Sequence, residues 1–292
     1  MQYLEKNAKY VTVIGVILSS TSAIFTKLIT AGPFIIGFYR LSLAILLFVI
    51  PALIKNRHLL KELGGKEIWL SMLGGFLLFC HFSTFFASVN YTKVASAVFI
   101  TTLHPIVILF FTLFVFKKRV NMKAVLGILV ALAGGFIIAG GDYSFSANNL
   151  IGDALAFSSA IFVGLYFLLG NKIRRNVSSS IYNSIVFSSC WVCFLISVLV
   201  SGAPLTGYSS MDYVYICLLS IFCQIIGHGV FSWCLGYVKP LFLSAWCSTQ
   251  GIYTTVMAII VFNEIPTLMQ NIGGLLSVIG ILYYNLNENA RL

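Results

Sequence analysis

The chain has 292 residues, 59% of them hydrophobic and 9% charged, with a formal net charge of +10. A soluble domain carries about 25% charged residues because its surface faces water, so this composition excludes a soluble globule and makes hydrocarbon the solvent. The positive charge does not mark a nucleic-acid binder: the basic residues sit in short segments between long apolar runs, where they act as topology signals and meet anionic headgroups.

A membrane span needs about 20 mostly apolar residues. Ten such runs follow one another, over residues 10–30, 33–54, 67–89, 94–116, 121–140, 150–171, 180–201, 211–236, 240–262 and 268–286. No small-residue cleavage site follows the first, so it reads as a span rather than a signal peptide. Punctuation falls between the runs at Gly32-Pro33, Gly64-Gly65, Gly140-Gly141-Asp142, Gly202-Ala203-Pro204, Pro240 and Pro266. All seven cysteines lie inside apolar runs, and Cys190-x-x-Cys193 falls mid-helix. They read as small buried side chains, with no metal and no cofactor implied.

Lys and Arg orient the helices. With the N-terminus inside, fifteen of the eighteen basic residues fall in inner segments, among them Lys6, Lys9, Lys117, Lys118, Arg119, Lys172, Arg174, Arg175, Lys239 and Arg291. Only Lys93 lies in an outer loop, while Lys27 and Arg40 lie within spans. Both termini are therefore expected in the cytoplasm of an inner or plasma membrane.

A shift of 146 residues aligns the fourth and fifth spans with the ninth and tenth without a gap. Tyr91 meets Tyr237, Lys93 meets Lys239, Ile106 meets Ile252, Gly127 meets Gly273 and Gly134 meets Gly280. At a shift of 137, Gly15 meets Gly152, and Ser22-Ala23-Ile24-Phe25 meets Ser159-Ala160-Ile161-Phe162. Each half, 10–140 and 150–286, thus holds five spans, and an odd number makes the halves point in opposite directions. The expected fold is an all-α membrane protein of ten helices as two inverted five-helix repeats. Two such halves give inward-open and outward-open states of similar energy, the basis of alternating access.

Three stretches carry a resemblance. The first runs from Gly32-Pro33 to Phe38-Tyr39-Arg40. The second runs from Asn90 through Ala97 to His104-Pro105. The third is Phe262-Asn263-Glu264 followed by Gln270-Asn271-Ile272-Gly273-Gly274 and Gly280. In this order they resemble the drug/metabolite transporter superfamily, specifically its EamA type with two five-helix repeats, over residues 11–286. The resemblance implies export or exchange of amino acids, related metabolites or drugs. The first repeat departs from the family pattern: Lys117-Lys118-Arg119 stands where members often carry a glutamate. The four-helix exporters of the superfamily use a glutamate in their first helix, and residues 10–30 contain none, so their proton-antiport chemistry is not carried over.

Polar groups in the hydrocarbon layer are costly and need a partner, water or a substrate. His104 and Gln250, related by the shift of 146, each lie near the midplane, followed by Pro105 and Gly251, which weaken a helix. This layout suits a substrate site between inverted repeats; a packing kink with internal hydrogen bonds is the alternative. One helical face carries His81, Thr84, Phe85 and Ser88, another Gln224, Gly227, His228 and Phe231, and the first span Ser19, Ser22 and Thr26. Mixed aromatic and polar walls suit amphipathic solutes, but Ser and Thr also bond neighbouring helices. Arg40, about 10 Å deep, could attract a carboxylate or hold helix carbonyls. Lys27 can snorkel, while Asp153 and Glu264 read as boundary residues. The candidate substrate-binding set is His104, Gln250, His81, Phe85, Gln224, His228, Arg40 and Ser22. Small-residue ridges, Gly127-x-x-x-Ala131-x-x-x-Gly135 and Gly273-x-x-x-Ser277, suit either a seam between the halves or a homodimer.

The leading expectation is a secondary transporter that exports or exchanges small metabolites, amino acids or related amphipathic solutes first among them. Its partners are then a small-molecule substrate and the lipid bilayer, with no nucleic acid. The alternatives are a passive channel or membrane sensor and, behind them, an intramembrane enzyme. No P-loop, Gly-x-Ser-x-Gly or His-Glu-x-x-His is present.

Overall fold

The computed structural model describes residues 7–117, 120–140 and 147–287. Lys6, Lys118, Arg119, Gly141, Asp142 and Arg291 lie outside them. Eight helices are long and apolar enough to cross a membrane, two shorter apolar helices complete the set of ten, and among the described residues there is no strand.

Helix α1 consists of Ala8–Ser19 and Ser22–Leu28. Helix α2 starts at Pro33, passes through a wide π-type turn at Ile45–Val49, and continues to Lys61. The others are α3 (Gly65–Tyr91), α4 (Val94–Thr101 and His104–Phe110, ending in a wide turn at Phe111–Val115), α5 (Met122–Gly140), α6 (Ala147–Arg174), α7 (Ser179–Ser201), α8 (Ser210–Leu218, a wide turn at Leu219–His228, then Gly229–Cys234), α9 (Pro240–Cys247 and Gln250–Phe262) and α10 (Leu268–Asn287). Leu46, Phe114, Phe136, Leu199 and Leu275 point outward, the arrangement that lipid rewards and water penalises.

Helix α2 outruns the apolar stretch that ends at residue 54. Its last two turns carry Lys55 and Arg57, and the helix bends at Asn56, whose side chain reaches the Ala52 carbonyl at 2.9 Å and Ser180 Oγ at 3.1 Å. Asp153 lies in the second turn of α6 rather than at its cap, because the helix begins six residues earlier.

The fourth and ninth helices are built alike, bond by bond. Ala97 N–H donates to Lys93 O, Thr102 N–H to Val98 O, Leu103 N–H to Ile100 O and Ile106 N–H to Leu103 O. The same four bonds recur 146 residues on, as Leu243 to Lys239, Ser248 to Ser244, Thr249 to Trp246 and Ile252 to Thr249. Each helix is thus broken at the same place, at 102–103 and at 248–249. The breaks fall two to three residues before Pro105 and Gly251. Pro105 sits in the first turn of the second half-helix, where its missing N–H costs nothing. Gly251 instead makes room for the Phe99 ring.

The two broken helices cross at their breaks, where Ser248 Oγ donates to the Thr102 carbonyl at 2.7 Å across 146 residues of sequence. Val94–Thr101 packs on Gln250–Phe262, and His104–Phe110 on Pro240–Cys247, so the pair is antiparallel. Helices α5 and α10 repeat the pattern. Gly127 lies against Gly280, Gly134 against Gly273, and Ser277 Oγ donates to the Ala131 carbonyl at 3.0 Å, again 146 residues apart. Residue i of one helix meets the partner of residue j, and j meets the partner of i, which defines a two-fold axis. An axis relating two antiparallel spanning helices lies across them, in the plane of the membrane, so the halves are inverted repeats. The small-residue ridges are buried against each other in this seam, so they do not supply a homodimer surface. Gly135 is not part of it: it faces Leu103.

Candidate functional site

A cavity of about 60 Å³ lies where α1, α2, α3, α4, α6, α8 and α9 converge, with room for roughly four water molecules by volume. His104, Gln250, His81, Phe85, His228, Arg40 and Ser22 all line it. Gln224 does not: it is fully buried, and both its amide atoms lack a hydrogen-bond partner among the described residues. The reason is the wide turn at Leu219–His228. A π-type turn breaks the 3.6-residue spacing, so Gln224 leaves the face that His228 and Phe231 share.

Among the described residues Arg40 is the most completely buried charged side chain. It is fully buried on α2, and its backbone carbonyl accepts from Ser220 Oγ at 2.7 Å. Its guanidinium lies over Phe82, with Cζ 4.2 Å from the ring centroid, and 5.7 Å from the Phe86 centroid. Those two rings are parallel within 6°, their centroids 5.5 Å apart, so their π-faces form a stack against which the cation rests. All three guanidinium nitrogens lack a hydrogen-bond acceptor among the described residues. Holding of helix carbonyls, one of the two uses the sequence allowed, is therefore not what this side chain does.

The histidines divide by partner. His81 Nδ1 is committed to Ser159 on α6, 2.7 Å from its Oγ and 3.1 Å from its carbonyl. His228 stands edge-on to Phe82 at 5.0 Å, and its Nδ1 has no hydrogen-bond partner among the described residues. His104 is 4% exposed, meets Phe167 edge-on at 5.5 Å, and its Nδ1 likewise has no partner among the described residues. Internal hydrogen bonding, the bland account of these residues, thus holds for His81 and fails for the Nδ1 atoms of His104 and His228. A buried polar atom left unpaired is costly, and here three such groups front one cavity.

The hydroxyls are mostly glue, within a helix or between helices. Thr84 bonds the Cys80 carbonyl at 2.8 Å and Ser88 the Phe85 carbonyl at 2.8 Å. Thr26 is buried away from the cavity, whereas Ser19 lines it. Thr254 Oγ1 donates to the Ser20 carbonyl at 2.7 Å, beside the break in α1. Lys27 Nζ donates to the Val89 carbonyl at 2.7 Å, tying α1 to the end of α3. Glu264 Oε2 accepts from Val94 N–H at 3.2 Å and so caps α4 from the far repeat. Phe231, named on the wall of α8, does line the cavity, whereas sequence reasoning missed Phe82, Phe167, Thr101 and Thr254 as lining residues. Phe82 had one usable signal, its place four residues before Phe86 on the helix that carries His81; the others had none in a chain so rich in apolar residues.

The sequence model of the EamA-like transporter family matches residues 8–140 and 150–286. The chain belongs to the EamA-like transporter family. An uncharacterized transporter of Clostridium kluyveri is 22% identical over 253 residues, covering 84% of this chain and 81% of the relative. A protein of Dictyostelium discoideum, provisionally named a UDP-sugar transporter, is 26% identical over 189 residues, covering 62% of this chain and 48% of that one. A solved crystal structure superposes with a TM-score of 0.71 at 19% identity, covering 96% of this chain and 97% of the other, which bears on the fold alone. The chain is a multi-pass membrane transporter.

Proposed function

We propose that the chain is a secondary carrier that exports or exchanges small metabolites by alternating access, taking carboxylate-bearing amphipathic solutes, amino acids or their relatives, in the central cavity. The observation that carries this reading is the buried guanidinium of Arg40, whose nitrogens have no acceptor among the described residues and which faces a cavity shared by both repeats. A buried charge without a counter-charge is unfavourable, and a bound carboxylate would supply one with the bidentate geometry arginine favours. The walls offered by Phe85, Phe167 and Phe231 suit an apolar body. His104 and Gln250 come from the two helices that cross at their breaks, and so lie where motion of one half against the other opens and closes access. The UDP-sugar in a relative's name is a larger anion, and the shared element is negative charge.

In this reading the protein is no enzyme, both termini are cytoplasmic in an inner or plasma membrane, and Lys93 and Lys239 lie on opposite sides. Saturable flux in liposomes, accelerated by substrate on the far side, is the expected result. Linear flux indifferent to the far side would favour a channel. Labelling of single cysteines at positions 93 and 239 from the same side of the membrane would end the carrier model.

A further inference from the structure

The site's charge narrows the class of solute. We infer that the carrier takes solutes that are net monoanions without an ammonium group, and that it discriminates against the zwitterionic amino acids otherwise matched to its walls. The inference rests on the carrier reading above and narrows its solutes from amino acids to carboxylate relatives that lack the amine.

Among the described residues the lining contains one permanently charged side chain, Arg40, and no Asp or Glu. The five acids among the described residues sit elsewhere. Glu62 and Glu67 flank the α2–α3 connection. Asp212 is held by Thr30, with contacts of 2.8 Å from both its amide and its hydroxyl, and caps α8 with Ser209. Glu264 caps α4. Asp153 lies ten residues above Val163, the nearest lining residue on α6, or roughly 15 Å along the axis.

A monoanion brings the cavity to neutrality with Arg40. A zwitterion adds the same carboxylate and also an ammonium, which restores an uncompensated positive charge in a low-dielectric space beside an existing cation. The groups left to receive that ammonium are neutral or cation-forming: the Nδ1 of His104, the Nδ1 of His228, the Gln250 amide and serine hydroxyls. A hydroxyl in the ammonium's place finds donors and acceptors in the same groups without adding charge.

The test uses the purified full-length chain in liposomes and three probes on one skeleton: phenyllactate, phenylalanine and phenethylamine. Counterflow of phenyllactate is expected to exceed that of phenylalanine by about tenfold or more, with phenethylamine at the level of protein-free liposomes. Arg40→Gln is expected to abolish phenyllactate counterflow, and Arg40→Lys to retain part of it. Should the Arg40 variants fail to fold, wild-type protein decides: phenyllactate is expected to raise its thermal stability and phenylalanine is not. Phenylalanine counterflow equal to or above that of phenyllactate, and lost in His104→Ala, would overturn the charge inference while leaving the carrier reading in place. Trans-stimulated flux of none of the three would sink both.

Discussion

The two repeats agree in their scaffold and differ in their chemistry. In α4 and α9 the broken turns match hydrogen bond for hydrogen bond, and in α5 and α10 the contacting glycines exchange places about one axis. The bonds that keep this symmetry are directed at backbone, which every residue supplies. Side-chain chemistry breaks it. His104 faces the cavity from the first half and Gln250 from the second, while Arg40 has Val186 as its counterpart at the shift of 146. The caps show why a difference can be harmless. Val94 has an N–H at the start of α4, and Glu264 accepts from it. Its counterpart, Pro240, opens α9 without an N–H. The residue that would match Glu264 is Lys118, so the acid is missing where there is no donor for it to receive. For the carrier proposed above, two inverted halves need equal backbones in order to rock, whereas a solute with a head and a tail calls for unlike walls.

The strongest blow to the symmetric scaffold is a methyl group in the α5–α10 seam. A Cβ at Gly134 would collide with the Gly273 carbonyl, and one at Gly280 with the Ala131 amide. Gly134→Ala and Gly280→Ala are each expected to destabilise the fold by about 1–3 kcal/mol. The temperature at which monodisperse protein is lost in detergent should fall by matching amounts, and a large drop in one alone would break the two-fold. Next come the unlike groups. His104→Ala and Gln250→Ala are each expected to lower transport about tenfold, the loss of one hydrogen bond to substrate, at unchanged membrane abundance. Wild-type flux in both would remove the midplane site.

A finer test separates broken from intact helix. Ser248 satisfies a Thr102 carbonyl whose helical donor, Ile106 N–H, has turned to Leu103. Ser277 adds a bond to an Ala131 carbonyl inside a continuous helix. Ser248→Ala is expected to cost about 1–3 kcal/mol and Ser277→Ala about 1 kcal/mol or less; equal melting shifts would show that the break leaves no unpaired carbonyl. The smallest effect belongs to Lys27→Met. It removes a tie to the Val89 carbonyl outside the cavity lining, so transport measured in liposomes is expected to stay within about twofold of wild type. A loss as deep as that of His104→Ala would move Lys27 into the solute path.

Much of the fold was legible because lipid imposes a strong pattern. Ten apolar runs and a gapless register of 146 residues gave the helices and their inversion. The helix breaks were legible only nearly: Pro105 and Gly251 flagged the region, but each chain breaks two to three residues earlier. The candidate site was legible where a polar residue stands out against hydrocarbon, as with Arg40, His81, His104, His228 and Gln250. It was illegible where the helix changes pitch, as at Gln224, which the cavity lining does not include. Apolar lining residues such as Phe82 and Phe167 resemble every other phenylalanine in the chain until the helices are assembled.

Composition, periodicity and charge placement by themselves determined that this chain inserts in a membrane as ten helices of repeated design. Those properties are local: they follow from the transfer of each segment into hydrocarbon and from the count of spans. Only the tertiary structure decided that both small-residue ridges meet within one chain, that Ser159 satisfies His81 Nδ1 while His104 Nδ1 finds no partner among the described residues, and that the guanidinium of Arg40 rests on two phenylalanine rings with no described acid beside it. Those facts depend on which faces of different helices meet, and packing between helices in lipid turns on a few close contacts that no single segment contains.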